Sequence, residues 1–137
     1  MALAAQVGLP MDPPRRNVNS RAALETGELV RERFGDESSA RFHHAVTRAF
    51  FAEGADIADL GVLARLAAPL GLTAGEVEAA WRERRCRAAV DQSLEAGMEA
   101  GVRGVPAFAW EGGHAVMGMR DPESLVEILT KRAIQGA

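Results

Sequence analysis

At Gly101 the sequence changes grammar. A long run of helical periodicity gives way to two short apolar runs separated by a glycine pair, and then to one more helical pattern. Val105 to Trp110 reads as a strand, Glu111-Gly112-Gly113-His114 as a turn, and Ala115 to Met119 as the returning strand. One hairpin is little sheet for a chain of 137 residues. A lone two-stranded hairpin is only marginally stable in water, so this pair must lean on something else. The fold class expected is therefore α+β and mostly helical.

The helices before Gly101 are bounded by their own punctuation. Prolines 10, 13 and 14 make residues 8–19 an arm or connecting loop, with residues 2–7 as the tail of a helix. Asn19 or Ser20 caps a helix to about Phe34, with Ala23, Gly27, Val30 and Phe34 on one face and Gly35 as its stop. Asp36 caps the next, in which Phe42, Ala45, Val46, Ala49 and Phe50 follow the cleanest helical spacing in the chain, closed by Gly54. Asp59 opens a third, with Leu60, Leu63, Ala64, Ala67 and Leu70 inward and Gly71 at its end. Thr73 and Glu76 form a capping box. Helical character then runs to about Ala100, broken near Arg84 to Cys86, with Val77, Ala80, Trp81, Val90, Leu94 and Met98 buried. After the hairpin, Asp121-Pro122-Glu123 starts a last helix to about Ala133, with Leu125, Val126 and Leu129 inward.

Composition removes several function classes. A net charge of -3 gives no basic field for nucleic acid or an anionic membrane. Two Trp, five Phe and no Tyr leave little for base stacking. No apolar run approaches the ~18 residues of a membrane span, and the N-terminus has no secretory pattern. The single cysteine, Cys86, fits a reducing compartment, so a cytoplasmic location is expected.

The segment Gly101-Val102-Arg103-Gly104-Val105-Pro106-Ala107-Phe108, then the hairpin, Gly118 and Asp121-Pro122-Glu123-Ser124-Leu125, resembles the C-terminal end of the DsbA family. Upstream, Asn19-Ser20-Arg21-Ala22-Ala23, residues Ala49 to Ile57, Leu63-Ala64 and Gly71-Leu72 resemble the helical insertion of its FrnE-like branch. The resemblance implies an N-terminal arm at 1–18, a helical insertion at 19–101 and the C-terminal ββα of a thioredoxin-like domain at 102–137. It implies a cis bond before Pro106, which an X-Pro pair otherwise adopts only ~5–6% of the time. It also implies that Gly104, Val105 and Pro106 bind substrate, the backbone of Val105 meeting an extended peptide by strand addition. The family's first strand and its Cys-x-x-Cys are expected ahead of residue 1.

Disulfide exchange needs an attacking thiolate and a second thiol to resolve the mixed disulfide. Cys86 alone cannot be both, so no catalytic residue is assigned. Its place among Arg82, Arg84, Arg85 and Arg87 allows a tuned thiol, but a small, partly buried helix residue is the plainer reading. That arginine run reads as a solvated face laced with Glu76, Glu78 and Glu83. His43, His44 and His114 have no companions at metal-ligand spacing, and no metal or cofactor is implied. Trp81 and Trp110 read as core anchors, and Asn19, near the active-site side in the family, as a cap.

Three functions follow from this reading. The first is a fragment or split member of a thiol–disulfide oxidoreductase, inactive alone. The second is a non-catalytic oligomeric interaction domain. The third is a glutathione-dependent relative of the 2-hydroxychromene-2-carboxylate isomerase or kappa-class transferase type. The open edge of the first strand calls for a homo-oligomer, or for a partner that supplies the missing strands, with a protein dithiol or disulfide as substrate.

Overall fold

The computed structural model describes residues 2–12, 18–108 and 115–135. They form two compact units, Met1–Gln92 and Ser93–Ala137. The element order is α1 (Ala2–Gln6), α2 (Arg21–Glu53), α3 (Leu60–Ala67), α4 (Ala74–Arg82), α5 (Arg87–Glu99), β1 (Ala107–Phe108), β2 (Val116–Met117) and α6 (Pro122–Gln135).

In the first unit, α2, α3 and α4 pack on one another. Asn19, not Ser20, supplies the capping side chain: its Oδ1 accepts from the Arg21 N–H at 2.9 Å. Gly35, with φ 83° and ψ 179°, interrupts the helical conformation of α2 and divides it into two helical arms. The chain folds back there. Ser39 Oγ donates to the Gly27 carbonyl at 3.1 Å, twelve residues away, whereas a straight helix would hold them ~18 Å apart. Gly27 is the point of close approach, since a Cβ there would lie 2.9 Å from His43 Nε2. The two helices expected on either side of Gly35 are therefore present as the two arms of α2.

The arms enclose the core with α3 and α4. Phe42, Leu63, Leu72, Val30 and Val77 are its largest fully buried side chains. Phe34 departs from expectation. It is the last residue before the break, so the inward stripe ends at Val30, and Phe34 lies half exposed against Gly71 with the Arg33 guanidinium 5.7 Å from its ring centre. Asp59 caps α3 by accepting from the N–H groups of Gly61 and Val62. A break between α4 and α5 stands where the sequence places it, with Arg84 at φ 56°.

The Thr73–Glu76 capping box is complete. Thr73 Oγ1 accepts from the Glu76 N–H at 3.3 Å, and Glu76 Oε2 accepts from the Thr73 N–H at 2.8 Å. Loss of the Thr73 hydroxyl in Thr73→Ala is expected to cost about 1 kcal/mol in urea unfolding. The Thr73 backbone and hydroxyl, joined by Arg33, hold the Glu76 carboxyl down to about 2 from its ordinary 4.5. A depressed carboxylate contributes stability above its unfolded pKa and loses it as pH falls toward the folded value. Melting temperature should therefore fall less steeply between pH 4.5 and 2 in Glu76→Gln than in the parent chain. Equal slopes would remove Glu76 from the acid response.

In the second unit, β1 and β2 pair antiparallel, Ala107 opposite Met117 and Phe108 opposite Val116. The expected turn at residues 111–114 and the strand end at Ala109 and Trp110 lie outside the described residues. Asp121 caps α6, accepting from the Ser124 N–H at 2.8 Å and from its hydroxyl at 2.6 Å; these bonds hold its carboxyl below the usual range. No described residue of this unit is buried. Leu94, Met98 and Val126, expected inward, are exposed. A hairpin and two helical segments are too few to enclose a core of their own.

Candidate functional site

The hairpin carries the candidate residues Gly104, Val105 and Pro106 at its start. Pro106 ends a turn and its carbonyl accepts from the Gly118 N–H at 2.9 Å, which ties the turn to β2. The Val105–Pro106 bond is cis, as the resemblance implies. Val105 is 91% exposed, and neither its N–H nor its C=O makes a hydrogen bond among the described residues. Beyond it, β1 pairs with β2 alone, so its other edge is unpaired among the described residues. An open strand edge beside unpaired backbone groups can accept an extended peptide through main-chain hydrogen bonds. Gly104, Val105 and Pro106 are thus adjacent, exposed and at the edge of the sheet.

Cys86 belongs to the first unit, and its setting disfavours the thiolate. It is buried, and burial pushes its thiol above the ordinary value. The Glu32 carboxylate adds to that shift, while Arg85 opposes it only in part. Arg85 is spent on Glu32, which it grips at 2.6 and 3.2 Å. A void of about 10 Å³ beside the thiol, lined by Glu25, Thr26 and Trp81 among others, holds one water at most. Thiol-specific alkylation of the folded chain at neutral pH should therefore be much slower than in urea. Equal rates would contradict a buried thiol.

The arginine run is partnered differently from the sequence reading. Glu76 faces Arg33 at 2.9 Å rather than the run, and Arg85 reaches across to Glu32. Arg87 lies 3.6 Å from Asp91. Sequence reasoning missed Arg21, which contacts Glu25 and Asp91 at 2.7 Å each and donates to the Arg87 carbonyl at 3.2 Å. The Arg21–Glu25 spacing was a local signal for half of this cluster; Asp91, seventy residues on, left none. Trp81 is 39% exposed, rimming the void instead of anchoring the core, because Val77 and Ala80 already fill the inward stripe of the short α4.

His43 and His44 are both exposed, while His114 and Trp110 fall outside the described residues. Among the described residues no cluster of His, Cys, Asp or Glu is placed to hold a metal ion. No helix among them is long and apolar enough to cross a membrane.

Comparison with known proteins bears on the family and the fold. The sequence model of the DSBA-like thioredoxin domain matches residues 1–130. No curated protein matches the sequence. Among ten solved chains that match in structure is one from Nitrosomonas europaea, provisionally described as a protein disulfide isomerase. It is 20% identical with a TM-score of 0.71, over 99% of this chain and 71% of that one, which is a likeness of fold.

Proposed function

Because the chain belongs to the DSBA-like thioredoxin domain family, we propose that it serves thiol–disulfide exchange by holding an extended polypeptide at Gly104-Val105-Pro106. The carrying observation is Val105, 91% exposed beside an open strand edge. In exchange, a thiolate attacks one sulfur of a disulfide and expels the other as a thiolate, and a second thiol resolves the mixed disulfide. Cys86 is the only cysteine here and is buried. The dithiol therefore comes from outside these 137 residues, on the same polypeptide or another, and the chain alone is inactive. Its Asn19-to-Leu72 helical pattern supports a place in the FrnE-like branch, and its lone reduced thiol supports a cytoplasmic setting.

The same open edge supports a second element of this reading. A second copy, or a partner that contributes strands, covers the exposed apolar residues of the second unit and leaves the Val105 end of the hairpin free for the polypeptide. Sedimentation at micromolar concentration is expected to show an assembly larger than one chain, and a stable monomer would remove the self-association arm.

The experiment for the exchange role is reduction of insulin by dithiothreitol. The chain alone should not accelerate it beyond the dithiothreitol rate. Acceleration that persists in Cys86→Ala would sink the reading, since no thiol would remain to account for it.

A further inference from the structure

The hairpin is antiparallel, so the start of β1 and the end of β2 lie at one end of the sheet. Arg103 precedes β1 and Arg120 follows β2, so the chain brings both toward that end, as it does Val105 and Met119. Both guanidinium-bearing residues are exposed. Neither makes an ion pair among the described residues; Arg120 makes only a long bond to the Met117 carbonyl, at 3.5 Å. The nearest acid in sequence, Asp121, is engaged as the α6 cap by Ser124. In the same two segments are two exposed apolar side chains, Val105 at 91% and Met119 at 69%.

We infer that the peptide held at this edge is acidic: an extended segment with an apolar side chain over Val105 and Met119, and a carboxylate close by that meets Arg103 and Arg120. The inference rests on the peptide-holding role proposed above and names the class of peptide. In a chain of net charge -3, this local pair is what makes an acidic ligand welcome. Main-chain bonds to the edge would hold any extended segment, while the cations choose among them.

The test uses the full chain and fluorescein-labelled octapeptides built around a central valine. They differ only in carrying glutamate, glutamine or lysine two residues from it. At low salt the glutamate peptide should bind about tenfold more tightly than the lysine peptide, with glutamine between them. The gap should shrink at about 0.5 M salt, where exposed charges are screened. The double variant Arg103→Glu, Arg120→Glu should reverse the order, a result that misfolding cannot imitate. Equal affinity for the three peptides would overturn the acidic preference and leave the peptide site standing. Binding of none would overturn both.

Discussion

Phe42→Ala is expected to cost the helical unit about 3–5 kcal/mol, measured as a lowered urea midpoint at unchanged slope. Phe42 has no exposed surface and sits on the second arm of α2, in the cluster with Val30, Leu63, Leu72 and Val77. Truncation removes the ring from contacts on all sides and leaves a cavity that the arms can close only in part. Because domains are held by only about 5–15 kcal/mol, most of the folded population is at stake. The conservative Phe42→Leu should recover much of the loss. A cost below about 1 kcal/mol for alanine would mean that the arms do not close on this ring.

Gly35→Ala is expected to rank next. Gly35 combines φ 83° with ψ 179°, a region open in practice to glycine alone, where a side chain costs of order 1–3 kcal/mol. Nothing lies within 4 Å of a Cβ placed there, so the cost is conformational and not a clash. Alanine also favours a straight helix through this point, and a straight helix would pull Ser39 and His43 away from Gly27. Gly75→Ala is the control. It lies in α4 with open space around its Cβ and no positive φ, and should be neutral or slightly stabilising. Equal effects for the two substitutions would remove the fold-back from the account.

Local chemistry made much of this fold legible. Gly35, Gly54 and Gly71 mark real breaks or ends, and Asp59, Thr73–Glu76 and Asp121 cap as their spacing requires. Each of these depends on neighbours within a few residues, which a sequence displays directly. Burial was legible where a helix lies between two others, as at Phe42 and Leu63, and misleading at Leu94, Met98 and Val126. Periodicity says which face of a helix is apolar; it does not say whether anything lies against that face. The site was read as a segment, Gly104-Val105-Pro106, and its open edge followed from counting strands. Its two flanking arginines escaped notice because they are seventeen residues apart on either side of the hairpin, and only pairing brings them toward one end. The Arg21–Asp91 contact escaped for the same reason.

The distribution of buried residues also decides how variants of this chain will reveal themselves. Every buried hydrophobic residue among those described lies at or before Val90. Heat and denaturant therefore interrogate the helical unit, and the cooperative transition belongs to it. A substitution at Val105, Arg103 or Met119 passes through a calorimeter in silence. What it changes is heard only when a ligand is titrated onto the hairpin, so thermal tolerance at these positions carries no news about their use.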